Sequence, residues 1–185
     1  MEEKSVKGLI LMGGQSTRMG SDKAFVQWHG QTLLEKAIDH LSGITDDIYL
    51  SVNAEQYDLL QDEYACIQDQ YPDKGPMGGI LSALEKLHED LIVLAVDMPN
   101  LSAANILDLI SAAKDFKTIT CYQYKDAIQP FPSFWPVQLL PNLEASVLNN
   151  RLAMIKFIVA QQPKLITTNS PEQFNNFNRP DDMIG

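Results

Sequence analysis

Six consecutive apolar residues, Leu91-Ile92-Val93-Leu94-Ala95-Val96, run straight into the turn residues Asp97-Met98-Pro99. A run of this kind reads as a strand buried on both faces, which is the environment of a strand inside a parallel sheet. Shorter runs of the same character precede it. Gly8-Leu9-Ile10-Leu11-Met12 ends at Gly13-Gly14, Ile48-Tyr49-Leu50-Ser51-Val52 ends at Asn53, and a weaker strand precedes Asp69.

Between these runs the apolar period changes from that of a strand to that of a helix. Residues 32–41 place Leu33, Leu34, Ala37, Ile38 and Leu41 on one helical stripe. Residues 78–87 do the same with Ile80, Leu81, Leu84 and Leu87, and Ser102 is the expected N-cap of a helix reaching Ala113. A further strand is expected over 118–122. Strand and helix alternating over the first 120 residues predict an α/β fold, with a mostly parallel central sheet flanked by helices on both faces. The last third is less regular. Pro130, Pro132, Pro136 and Pro141 punctuate the aromatic stretch Phe131-Pro132-Ser133-Phe134-Trp135, read as a loop plus an edge strand, and a helix is expected over 152–161.

At 185 residues and 45% hydrophobic content the chain is sized for one domain with a full core. Its 14 Lys+Arg against 24 Asp+Glu leave a net charge of −10, which argues against nucleic acid as a partner because a phosphate backbone calls for a basic face. A local pocket can still oppose the net sign and bind one small anion. Cys66 and Cys121 have no CxxC context and are expected to be reduced and buried. No apolar run approaches the ~20 residues that span a bilayer, and Met1-Glu2-Glu3-Lys4 does not open a signal peptide, so no membrane association and a cytoplasmic location are expected.

Ligands of an open parallel sheet bind beyond the carboxyl ends of its strands. The first strand is followed there by Gly13-Gly14-Gln15-Ser16-Thr17-Arg18-Met19-Gly20-Ser21-Asp22-Lys23. Its glycines permit backbone N–H groups to approach phosphate oxygens, and Arg18 and Lys23 add positive charge. The spacing fits neither a P-loop nor a dinucleotide fingerprint, and a plain surface loop is the alternative. Asp97 follows the most hydrophobic strand. A carboxylate there needs a partner or a metal, unless it only caps the turn toward Ser102. Lys74-Gly75-Pro76-Met77-Gly78-Gly79 enters a helix, where a glycine pair suits either ligand approach or a tight turn. Asn53 and Asp69 end strands and suit either a nucleoside contact or turn capping. His29, His40 and His88 show no ligating or triad spacing and are expected at solvated positions, while Met12 and Met19 are expected to pack.

Taken together, residues 11–23 resemble the GG-x-S-x-R-M-G-x-D-K signature of nucleotidyltransferases with a Rossmann-like fold, the architecture of nucleotide-diphospho-sugar transferases. Within that group the chain is most similar to the molybdenum cofactor guanylyltransferases. Val52-Asn53, Asp69, the glycine-rich entry at 75–79, Val96-Asp97-Met98-Pro99 and Asn176-Phe177-Asn178-Arg179-Pro180-Asp181-Asp182 carry the rest of the likeness. The family usually has a small residue where Met12 stands and threonine where Arg179 stands.

The resemblance implies one domain over residues 1–185, with nucleotide binding in 1–120 and acceptor binding in 121–185. It implies a magnesium-dependent enzyme that transfers GMP from GTP to the phosphate of molybdopterin carrying molybdenum and releases pyrophosphate. Leu11, Met12, Gly13 and Gly14 would line the guanine and phosphate site, Lys23 would bind phosphate, and Arg18 would stabilise the leaving pyrophosphate. Asn53 and Asp69 would contact the nucleoside, Gly79 would lie close to it, Asp97 would hold Mg²⁺, and Asn176 and Asn178 would face the pterin. The partners implied are GTP, the molybdenum cofactor, and transient contacts with other cofactor-biosynthesis proteins and molybdoenzyme apoproteins. Rival readings keep the fold and change the role: a cytidylyltransferase for molybdopterin or for a sugar or isoprenoid phosphate, or a non-catalytic nucleotide-binding module that delivers cofactor.

Overall fold

The structure is a computed structural model that describes residues 6–13, 23–113 and 117–177. Its centre is a seven-stranded sheet in the order β5-β4-β1-β6-β8-β7-β9. The strands are β1 (Val6–Leu11), β4 (Ile48–Val52), β5 (Cys66–Gln68), β6 (Asp90–Ala95), β7 (Thr120–Tyr124), β8 (Ala127–Trp135) and β9 (Lys164–Thr167). Only β8 runs against the others, pairing antiparallel with both β6 and β7. The order of the first four strands is that of a Rossmann half-sheet. The chain therefore has the expected mostly parallel, Rossmann-like α/β fold.

Among the described residues six helices cover the two faces: α1 (Leu33–Ser42), α2 (Ala54–Leu60), α3 (Pro76–Leu87), α4 (Ala103–Ala113), α5 (Leu140–Leu148) and α6 (Met154–Ala160). Strand alternation divides the core between them. Ile10, Ile92 and Leu94 pack with α1 and α4 residues such as Leu34 and Leu109. Leu9, Leu91 and Val93 pack on the other face with Ile80 of α3, Leu143 of α5 and Ile158 of α6. All four residues 91–94 are buried, as a strand covered on both sides requires. Met12 is likewise buried, and both cysteines are free and buried.

Local sequence sets the element ends. Thr32 caps α1 by accepting from the Glu35 N–H at 3.1 Å, and the Glu35 carboxylate accepts from the Thr32 N–H at 2.6 Å. Ser102 begins α4 with its Oγ 3.4 Å from the Asn105 nitrogen. The pair β2 (Gln27–Trp28) and β3 (Gln31–Thr32) forms a hairpin whose turn residues His29 and Gly30 both have positive φ, the geometry of a tight two-residue loop.

Two expectations are corrected here. The aromatic stretch is not at an edge, because β8 lies between β6 and β7. Its prolines are tolerated because the β7–β8 register breaks between Cys121 and Tyr122, so residues 130–132 fall between the pairs Tyr122↔Gln129 and Cys121↔Ser133. His40 is also not simply solvated. Its Nε2 is buried without a hydrogen-bond partner, and burial, with the nearby Lys36 charge, holds the imidazole below its ordinary value. Among the described residues, no helix is long and apolar enough to cross a membrane.

Candidate active site

The parallel strands deliver the candidate residues to one end of the sheet. The ends of β1, β4 and β6 remain stitched together by Met12 N–H to the Ser51 carbonyl at 3.2 Å and Val96 N–H to the Leu11 carbonyl at 3.1 Å. Gly13 leaves this junction with φ of 90°, a conformation that a side chain would strain. The next described residue is Lys23, the first of a short 3-10 turn reaching Phe25.

There Lys23 meets Asp97, 74 positions further along the chain. Lys23 Nζ stands 2.8 Å from Asp97 Oδ2, and their side chains are 19% and 18% exposed. Asp97 Oδ1 is buried and has no hydrogen-bond partner. A carboxylate oxygen left in this state carries a desolvation cost that a hard cation would relieve. Among the described residues no group of three or more His, Cys, Asp or Glu could form a protein cage for a metal. A single carboxylate instead fits Mg²⁺, which keeps waters and shares itself with substrate phosphates.

The flanking residues have local structural work. Asn53 caps α2, its Oδ1 accepting from the Gln56 N–H at 2.8 Å while the Gln56 Oε1 accepts from the Asn53 N–H. Asp69 Oδ1 accepts from the Tyr71 N–H at 2.8 Å and from the Ser82 hydroxyl at 3.3 Å; burial raises its carboxyl above the usual range against those two bonds. Gly79 lies where α3 crosses the sheet, and a Cβ there would stand 2.3 Å from Ser51 Oγ and 3.3 Å from Leu11 Cδ2. Its missing side chain thus has a packing cause, whatever lies beyond it. Gly14, Arg18, Asn178 and Met19 lie outside the described residues.

Beside Asp97 the structure seats Phe177, a residue to which sequence reasoning gave no role of its own. The Phe177 N–H donates to the Asp97 carbonyl at 2.9 Å, and the Phe177 ring lies edge-on to Trp28 with centroids 4.5 Å apart. Asn176 is exposed immediately before this anchor. The available signal was the pair Phe174 and Phe177, two buried aromatics in an otherwise polar stretch.

The MobA-like NTP transferase domain matches residues 8–164 of this chain. The chain belongs to that family. It is a nucleotidyltransferase, as the resemblance carried by residues 11–23 implied. A molybdenum cofactor guanylyltransferase of Pseudomonas entomophila is 30% identical over 183 residues, covering 95% of each chain. The molybdopterin-guanine dinucleotide biosynthesis protein A of Archaeoglobus fulgidus superposes with a TM-score of 0.81 at 21% identity, over 96% of this chain and 95% of its own. A Mycobacterium tuberculosis protein solved in complex with manganese shares the fold at a TM-score of 0.64 and 13% identity, over 89% and 88% of the two chains.

Proposed function

We propose that this chain transfers GMP from GTP to the phosphate of the molybdenum-carrying molybdopterin cofactor, giving molybdopterin guanine dinucleotide and pyrophosphate. The observation that carries the reading is the Lys23–Asp97 pair at the sheet's carboxyl end, with Asp97 Oδ1 buried and unpartnered. The name of the Pseudomonas relative supports guanine as the base and the molybdenum cofactor as the acceptor.

In this reading an oxygen of the acceptor phosphate attacks the α-phosphorus of GTP, and the bond from that phosphorus to the α,β-bridging oxygen breaks. The attacking phosphate is already ionised near neutral pH, so no general base is needed; the work is positioning and charge neutralisation. Lys23 binds the triphosphate, and Arg18 steadies the departing pyrophosphate. Backbone groups of Leu11, Met12, Gly13 and Gly14 line the nucleotide, and Asn53, Asp69 and Gly79 border the nucleoside. Asp97 would hold Mg²⁺ through Oδ1, and the bound cation would offset charge on the leaving group. Asn176 and Asn178 border the acceptor, residues 1–120 and 121–185 divide the two substrates between them, and the enzyme works in the cytoplasm beside the proteins that make and use the cofactor.

The test is calorimetric titration of the purified chain with GTP, CTP and ATP, each with Mg²⁺. Selective GTP binding in the micromolar range supports the reading. A preference for CTP overturns the named substrate while keeping the chemistry, and absence of binding by all three overturns the reading itself.

A further inference from the structure

The residues from 171 to 177 cross the molecule as a strap fastened at three points. Gln173 Oε1 accepts from Asn105 Nδ2 at 3.0 Å, on α4. Phe174 packs on Tyr122 of β7 with centroids 4.8 Å apart. The third point is Phe177, buried, with its ring against Trp28 and its N–H on the Asp97 carbonyl.

This last fastening closes a ring of contacts through the candidate site. Lys23 opens a turn closed by the Val26 N–H on the Lys23 carbonyl at 3.1 Å, and the hairpin bearing Trp28 follows directly. Trp28 touches Phe177, Phe177 holds the Asp97 main chain, and the Asp97 carboxylate returns to Lys23. Asp97 sits past the end of β6, where the sheet ladder no longer fixes it. The Phe177 N–H restrains its carbonyl one residue beyond the sheet's own stitch at Val96. A side chain is aimed by the main chain that carries it, so this bond bears on where Oδ1 and Oδ2 point.

We propose that Phe177 is a positioning residue: seated on Trp28, it holds Asp97 so that its carboxylate stays against Lys23 with Oδ1 available to the divalent cation. The proposal rests on the functional reading above and assigns a role to a residue that touches no substrate. The ring is the anchor and the N–H the arm. Truncating the ring removes the seat without deleting the donor.

The measured quantity is the factor by which Mg²⁺ tightens GTP binding, from titrations with Mg²⁺ and with EDTA, on wild type, Asp97→Asn, Phe177→Ala, Phe177→Leu and Val147→Ala. Val147 is buried in α5 among the residues of the opposite face and controls for lost stability alone. Phe177→Ala is expected to lower the Mg²⁺ factor about tenfold, and Phe177→Leu, which keeps an apolar plug, to stay within about twofold of wild type. Val147→Ala is expected to leave it unchanged. A wild-type factor in Phe177→Ala, or an equal loss in Val147→Ala, overturns the positioning role. If Asp97→Asn itself keeps the full Mg²⁺ effect, the functional reading falls and the role of Phe177 with it; loss in Asp97→Asn but not in Phe177→Ala sinks the positioning role alone.

Discussion

The two halves of the sheet are built from similar strands yet carry different duties. In the parallel half, β5-β4-β1-β6, every strand ends at a residue with a polar or special role: Asp69, Asn53, Gly13 and Asp97. In the other half, β8-β7-β9, the antiparallel β8 turns its end away, so Trp135 lies at the opposite end of β6 beside Leu91. That half reaches Asp97 through the strap, by the Phe177 N–H. Parallel strands bring their carboxyl ends to one rim, where loops can converge on a ligand. Reversing one strand gives up a rim position and supplies buried area instead.

The contrast is broken most severely in the second half. Trp135 is fully buried, stacks on Phe157 at 5.9 Å, and donates its indole N–H to Ser133 Oγ at 2.8 Å. Trp135→Ala is expected to cost about 3–5 kcal/mol of stability. Urea unfolding should show the loss, while the GTP affinity of the folded fraction holds. Asp97→Asn should invert that pattern. The amide keeps an oxygen for Lys23 but loses the charge, so turnover is expected to fall by about 10²–10³, equal to about 2.7–4 kcal/mol of transition-state stabilisation, with little change in melting temperature. Equal losses of stability in the two variants would erase the division of labour.

Gly79→Ala sharpens the comparison inside the parallel half. The new methyl would collide with Ser51 Oγ, at a cost of about 1–3 kcal/mol for overpacking. Adding Ser51→Ala removes the colliding oxygen, and the double variant should recover most of the melting temperature. Recovery of stability without recovery of GTP affinity would show that Gly79 also faces the nucleotide; recovery of both leaves it a packing residue.

These differences follow what a sequence can express. The strand at 90–95 was legible because burial on both faces writes an unbroken apolar run, and α1 because Leu33, Leu34, Ala37, Ile38 and Leu41 write one helical stripe. Lys23 was legible as a cation closing the glycine-rich stretch and Asp97 as an odd residue at a strand end, but their meeting depends on the fold joining positions 74 apart. The short helix α2 escaped because one of its two adjacent leucines, Leu59, is exposed while Leu60 is buried, which leaves no stripe to read. The interior place of β8 was hidden by prolines that a register break excuses. Phe177 escaped because its importance lies in a backbone N–H, which every residue but proline carries.

A smaller effect separates two uses of one side chain. Asn53→Ala removes the cap of α2 and should cost about 1 kcal/mol. Asn53→Asp keeps an oxygen for the Gln56 N–H, so its melting temperature should stay near wild type. A fall in GTP affinity in Asn53→Asp alone would mark a nucleoside contact beyond the cap.

The smallest effect is expected on the helical layer behind the rim, at His40. Burial, first, and the Lys36 charge, second, hold its imidazole below the ordinary 6.5, with Asp39 opposing them. The unfolded chain therefore takes up this proton before the folded chain does, and stability present above pH 6.5 is lost as the pH falls through the lower folded value. Its Nε2 has no partner that could accept the added proton's hydrogen bond. Urea unfolding at pH 7.5 and pH 5.5 should thus show a larger acid loss in wild type than in His40→Asn, because the other titrating groups are common to both proteins. Equal losses would mean that the imidazole reaches water when it is charged. GTP affinity should follow the same pH course in both proteins, because His40 lies in α1, away from the rim residues that the parallel strands deliver.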